Sequence, residues 1–360
     1  MRILRAIATL MIVVFLLLSP GYIKDHLSSD PFRAFFDIPE AKWHGKIELW
    51  HIVSFRTYQG SVTKLLRERA TVWNKSHPGI HIEVVGMTEK KFQERIARGE
   101  FPDAYSFASG VCYLEQLQVL AMDTPKPTGS IPCATNNGDL YAVPYLYSGY
   151  FLLANTELLA TSGMELGASI DPAMLQAALD QEKKTPQLFM PPVLAARADL
   201  SGALATLDDF SRGKTLFAVG DARYLGDLVR SEKNTVLFEA VPYPGYTDQV
   251  QYLGVAAGAD QNRLAALSDF FSVLLTEEEQ VRVPTVGAFP IREDAANIVF
   301  SEPLLTAFYQ SHDSMTAPDP FLYQRHRQAL EADALRALAD ETDGKNSFWE
   351  RMDVVMFTKN

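Results

Sequence analysis

Residues 141–155 read YAVPYLYSGYFLLAN. The run is apolar and rich in β-formers, holds four tyrosines (Tyr141, Tyr145, Tyr147 and Tyr150), and is interrupted by Pro144 and Gly149. Proline cannot donate to a sheet ladder, which argues against one uninterrupted central strand. The stretch therefore reads as a crossover over residues 144–149, where the chain leaves one lobe and enters another before a helix-like TELLATSG. Ligand clefts favour such seams.

Upstream, residues 47–53 (IELWHIV) are β-rich, and a turn-like SFRTYQG follows. Val62, Leu65, Leu66, Ala70 and Trp73 then recur at helical spacing. That helix is predicted to end near the His77-Pro78-Gly79 turn, since proline disfavours helix in the residue before it. Ile80, Ile82 and Val84 alternate as in a second strand, the charged EKKFQERIARGE reads as a helix, and AYSFAS after Pro102-Asp103 reads as a third strand. Strand, helix, strand, helix, strand predicts a parallel sheet with helices on its faces.

At 360 residues the chain is long enough for two domains of ordinary size. Lys plus Arg count 33 against 44 Asp plus Glu, giving a net charge of −11 without a basic block, so nucleic acid is not an expected partner. Arg2 and Arg5 precede an apolar run over residues 6–18 and then Ser19-Pro20-Gly21, the pattern of an export signal. As a helix that run would span about 20 Å, short of a bilayer core of about 30 Å. Residues 1–23 are thus a cleaved signal peptide or, extended through Ile23, a retained membrane anchor, and 24–45 form a linker. In an exported chain Cys112 and Cys133 are candidates for a disulfide, two independent thiols being the alternative.

Several segments together carry a resemblance. ELWHIVSF, KSHPGIHIEVV and GEFPDAYSFASG, in that order and spacing, resemble the opening of the extracellular solute-binding proteins of family 1, the maltose-binding-protein-like receptors of ABC importers. YAVPYLYSGYFLLANTELL resembles the family's first crossover, RGKTLFAVGDARYLGDLV its Gly-Lys strand, and FEAVPYPGYTDQVQYLGVAAGA a strand and return crossover. ADQNRLAALSDFFSVLLTEEEQ followed by VGAFPIRED resembles the helix and Pro-Arg loop that come next. The resemblance covers roughly residues 46–295. It implies an α/β fold of two lobes, 46–145 with 254–299 and 146–253 with 300–360, hinged near 144–150 and 253–258. Between 185 and 212 the chain is shorter than is usual in that family, which reduces the second lobe.

The same resemblance implies an exported, monomeric binding protein, periplasmic or at the extracytoplasmic face of the membrane. It would close on a small solute, a carbohydrate or sugar derivative, and deliver it to permease subunits; a membrane-anchored sensor of the same fold is the alternative. No His-Glu-x-x-His, Gly-x-Ser-x-Gly, Gly-x-Gly-x-x-Gly after a strand or Cys-x-x-Cys occurs, so neither an enzyme nor a cofactor is expected. Gly213-Lys214-Thr215 lacks the earlier glycine of a phosphate loop, and Glu341, Asp343, Gly344 and Glu350 lack the first ligand of a calcium loop. The seven histidines show no ligand spacing and read as surface or capping residues.

The ligand would sit at the C-terminal ends of strands. Phe55, Arg56 and Tyr58 would form one wall. Asp103, with Ser106 and Ser109, would add donors and acceptors, Asp103 alternatively only capping a turn. Tyr145, Tyr147 and Tyr150 would line the crossover, although strand alternation requires at least one to face the core. Asp221, Arg223 and Tyr224 would come from the second lobe, where Arg56 and Arg223 could converge on a carboxylate or phosphate or else form surface ion pairs.

Overall fold

A computed structural model describes residues 43–356 apart from 168–169, 182, 232–235 and 296–297. The targeting segment expected at 1–23, and the linker as far as residue 42, lie outside the described residues. Contacts divide the chain into two units, Met1–Lys46 with Asn74–His81 and Ile47–Trp73 with Ile82–Asn360. In the first, the Gly45 N–H donates to the Gly79 oxygen at 2.9 Å and the Ile80 N–H to the His77 oxygen at 3.1 Å. The second carries the cores of two sheets.

The larger sheet has seven strands: β1 (Gly45–Val53), β2 (Ile80–Thr88), β3 (Ala104–Ala108), β4 (Ala134–Asn136), β5 (Asp139–Tyr147), β10 (Val250–Val255) and β11 (Phe289–Pro290). Their order is β11-β5-β10-β3-β1-β2, with β4 also on β5. β1 and β3 are parallel but β10 runs antiparallel to both β3 and β5, so the sheet is mixed rather than wholly parallel. The smaller sheet is β7-β8-β6-β9, formed by β6 (Tyr150–Asn155), β7 (Leu188–Phe189), β8 (Phe217–Asp221) and β9 (Phe238–Tyr243).

Helix α1 (Val62–Ser76) buries Val62, Leu65, Leu66, Ala70 and Trp73, the stripe predicted from spacing. Trp73 also donates from its ring nitrogen to Asp269 at 2.7 Å. Helix α2 (Glu89–Ala97), capped by Thr88, buries Phe92 edge-on to Trp50 and Tyr105. In the second lobe α3 (Thr156–Ser162), α4 (Pro172–Leu179), α5 (Pro192–Arg197) and α6 (Leu207–Ser211) lead to α7 (Ala222–Arg230). Asp171 caps α4, with Pro172 at its first position. Helices α8 (Gln261–Leu274) and α9 (Glu277–Gln280) return to the large sheet. The C-terminal α10 (Pro303–Gln310), α11 (Pro320–Leu338) and α12 (Thr342–Met356) belong with the small sheet, where Leu330, Ala334, Phe348 and Met352 share a core with Leu152 and Phe217. Among the described residues no helix is long and apolar enough to cross a membrane.

The tyrosine-rich stretch does cross between sheets, but later than predicted. β5 runs through Pro144 to Tyr147, and only Ser148 and Gly149 separate it from β6. Pro144 is tolerated because the pairing with β10 shifts register there and neither β4 nor β11 pairs with it. The return passage lies at residues 244–249, between β9 and β10. Residues 253–255, expected in the second hinge, sit inside β10 at the centre of the large sheet, their apolar run being the mark of a strand buried on both faces. The two passages bind each other: the Ser148 N–H donates to the Gln249 oxygen at 2.8 Å, and the Thr247 hydroxyl donates to the Ser148 oxygen at 2.7 Å.

Candidate ligand-binding site

Parallel pairing sets Leu49 opposite Ala104 and His51 opposite Ser106, so the C-terminal ends of β1 and β3 lie side by side. The loops that follow them reach helices of the second lobe. The loop after β1 meets α7, where Arg230 donates from Nη2 to the Tyr58 oxygen at 2.6 Å and Tyr58 donates from its hydroxyl to Glu302 at 3.3 Å. A Cβ on Gly226 would come within 2.3 Å of the Tyr58 oxygen, so only glycine lets α7 approach this closely. The loop after β3 meets α11: the Gly110 N–H donates to the Pro320 oxygen at 3.3 Å, and a Cβ on Gly110 would stand 2.9 Å from the Tyr323 ring.

Two cavities open along this edge. One, of about 260 Å³, is lined by Phe55 and Arg56 after β1, by Ser61 and Thr63 at the start of α1, and by Arg223 of α7. The other, of about 690 Å³, lies between Glu89 and Gln93 of α2, Tyr113 after β3, and Gln324, Arg327 and Gln328 of α11. Its walls are tied across the lobes by Arg327 at 3.8 Å from Glu89 and Arg325 at 3.7 Å from Glu115. Both pairs are exposed enough that water screens them, so they guide the lobes more than they hold them. Tyr113 is 46 % exposed beside this cavity.

Of the site residues read from the sequence, the structure brings Phe55, Arg56 and Arg223 to one cavity and disperses the rest. Asp103 is at the opposite, N-terminal end of β3, where it accepts the Glu48 N–H at 2.8 Å and pairs with Arg263 at 2.9 Å; a residue preceding a parallel strand cannot reach the edge that follows it. Tyr58 is buried in the α7 contact. Tyr145 is enclosed, its hydroxyl 2.9 Å from Ser106 Oγ, which also lies 2.9 Å from His51 Nδ1 and accepts from Gln251 at 3.1 Å. Tyr147 packs on Phe289 at 5.3 Å between centroids. Tyr150 donates to Asp248 Oδ1 at 2.7 Å, while Tyr323 donates to Oδ2 of the same carboxylate at 2.9 Å. Strand alternation sends none of the three crossover tyrosines into the open because β5 and β6 are covered on both faces.

Ser109 is buried, its N–H donating to the Val250 oxygen at 3.1 Å. Asp221 caps α7 through the Tyr224 N–H at 2.7 Å, and burial raises its carboxyl above the ordinary range against the pull of that N–H and of Arg223. Tyr224 turns away to α6, its hydroxyl 2.9 Å from Ser211 Oγ. His51, expected at the surface, is buried, and burial, helped by Arg67, lowers it from 6.5 to about 3. Cys112 and Cys133 are free thiols rather than a disulfide. Cys112 is wholly enclosed next to Tyr105 and Glu89, whereas Cys133 neighbours Thr124 and Tyr252.

The polar wall of α2 and α11 escaped sequence reasoning. Glu89, Gln93, Gln324, Arg327 and Gln328 stand on charged helix faces that read as solvated surface, and their only signal is polar density at helical spacing. Among the described residues no group of His, Cys, Asp and Glu is arranged to hold a metal ion.

No family model matches the chain, and no curated protein matches it. Solved structures do. The cyclic α-maltosyl-1,6-maltose binding protein of Arthrobacter globiformis superposes with a TM-score of 0.63 at 16 % identity, over 87 % of this chain and 98 % of that one. An ABC substrate-binding protein of Listeria monocytogenes in complex with cycloalternan gives 0.60 at 15 % identity, over 87 % and 98 %. The GacH receptor of Streptomyces glaucescens, solved unliganded and with acarbose, gives 0.58 at 17 % identity, over 88 % and 99 %. The chain thus has the two-lobed α/β fold of the periplasmic binding proteins.

Proposed function

We propose that this chain is an extracytoplasmic solute-binding protein of extracellular solute-binding protein family 1. It captures a carbohydrate or sugar derivative between its lobes and hands it to the permease subunits of an ABC importer, without chemical turnover. The observation that carries this reading is the larger cavity, where Gln93, Gln324, Gln328 and the Glu89–Arg327 pair face each other from two lobes beside the exposed ring of Tyr113. Amides, carboxylates and guanidinium groups pair with sugar hydroxyls as donors and acceptors, and an aromatic face stacks on a pyranose ring. The fold is shared with proteins solved with cycloalternan and acarbose, which supports the class of solute.

Closure follows from the same geometry. A solute touching α2 and α11 together favours the closed form by its differential contacts, and the short passages at residues 148–149 and 244–249 absorb the rotation. The test is the full chain, purified in mild detergent, screened by thermal shift and small-angle scattering against maltooligosaccharides, cyclic maltosaccharides, xylo- and chito-oligosaccharides and sugar acids. A bound solute at a hundredfold its Kd should add about 2.7 kcal/mol of stability and reduce the radius of gyration. If no saccharide shifts either quantity, the reading is rejected.

A further inference from the structure

The smaller cavity has a charge pattern that a neutral sugar leaves unexplained. In a chain of net charge −11, the residues lining it include Arg56 and Arg223 and no carboxylate. Arg56 is exposed and makes no hydrogen bond or ion pair among the described residues. Arg223 commits Nε to Asp227 at 3.0 Å, which leaves its two terminal nitrogens for another acceptor. Ser61, Val62 and Thr63 bring the start of the fifteen-residue α1 to the same cavity, and that helix has no acidic residue in its first turn. The N-terminal end of that helix adds positive potential through its dipole. One arginine belongs to each lobe, so closing an empty cavity brings like charges together, whereas a negative group between them favours closure.

We infer that this cavity receives an anionic substituent of the captured saccharide, a carboxylate or a phosphate ester, held between Arg56 of the first lobe and Arg223 of the second. The inference rests on the solute-capture reading and names the class of solute. Guanidinium groups suit it because their planar fork meets two oxygens of a carboxylate or phosphate at once.

The test is calorimetric titration of the full chain in detergent with four probes: a neutral oligosaccharide, the same oligosaccharide ending in a uronate, a sugar phosphate, and inorganic phosphate. The expected result is that a charged saccharide binds at least about tenfold tighter than its neutral counterpart and loses that advantage as salt rises. Arg56→Gln and Arg223→Gln should each lower the ratio of charged-saccharide to neutral-saccharide affinity by about tenfold or more, with the circular dichroism of the folded chain retained. Preference for the uronate or for the phosphate then identifies which anion is read. Equal affinity for neutral and charged saccharides, unaffected by either substitution, overturns the inference and leaves the capture of sugars standing. Arginine-dependent binding of inorganic phosphate without binding of any saccharide keeps the anion cavity and sinks the carbohydrate reading; binding of none of the four sinks both.

Discussion

Arg230 of α7 donates to the backbone oxygen of Tyr58 at 2.6 Å, and its guanidinium lies 4.9 Å from the centroid of the Tyr58 ring. One side chain thereby ties the second lobe to the loop that follows the first strand, with Gly226 giving the space. A hydrogen bond from a charged donor contributes about 1.5–3 kcal/mol, which corresponds to roughly ten- to a hundredfold in the balance between open and closed forms. Arg230→Ala and Gly226→Ala should therefore each enlarge the radius of gyration and weaken solute binding, with circular dichroism unchanged. Unaltered scattering in both variants would show that this contact has no part in closure.

Asp248 accepts one hydroxyl from Tyr150 at the start of β6 and one from Tyr323 on α11. Asp248→Ala leaves two enclosed hydroxyls without an acceptor, at about 1–3 kcal/mol each. The expected outcome is a midpoint shift in urea unfolding equivalent to about 2–5 kcal/mol, with a smaller loss for Asp248→Asn, which keeps one oxygen. Equal stability of all three proteins would contradict this account.

Gly149, the second residue of the first passage, faces Phe308: a Cβ there would stand 2.0 Å from the ring. Phe308 in turn stacks on Phe289 at 4.5 Å, so the ring has little room to yield. Gly149→Ala is expected to cost about 1–3 kcal/mol, and a partial rescue by Phe308→Leu in the double variant would identify the ring as the obstacle. Thermal melts of the single and double variants measure both.

His51 sets an acid limit. Folded, it takes a proton only near pH 3, whereas an unfolded histidine takes one near 6.5, so between those values the unfolded chain binds more protons. The stability this contributes is complete above pH 6.5 and falls by up to about 1.4 kcal/mol per pH unit as pH drops toward 3. His51→Asn should flatten that part of the curve of unfolding free energy against pH. An unchanged slope would place the acid sensitivity elsewhere.

Much of the fold was legible because local chemistry and tertiary packing agree. The stripe of α1, the Asp171-Pro172 start of α4 and the strand at residues 47–53 each follow from spacing or capping alone. The hinge positions were displaced because apolar runs such as residues 250–255 mark a buried strand and a crossover equally well. The tyrosines misled for a related reason: period-two alternation separates two faces of a strand but does not say that both are covered. Arg56 and Arg223 each follow the C-terminal end of a strand, and the structure places both at one cavity.

The sequence by itself determined individual strands, helices and turns, because hydrophobic periodicity and turn chemistry act over neighbouring residues, while the two-lobed arrangement was implied only by the family resemblance. It also determined that the chain is acidic and that two arginines stand at strand ends. Only the tertiary structure decided which side chains meet. Glu89 and Arg327 are 238 positions apart, and their encounter depends on the way α11 packs against the first lobe. Burial decided the rest: it made His51 a core residue and packed the crossover tyrosines inside, while the fold left Cys112 and Cys133 as separate thiols. Such outcomes are set by what lies on the far side of a residue, which no local pattern encodes.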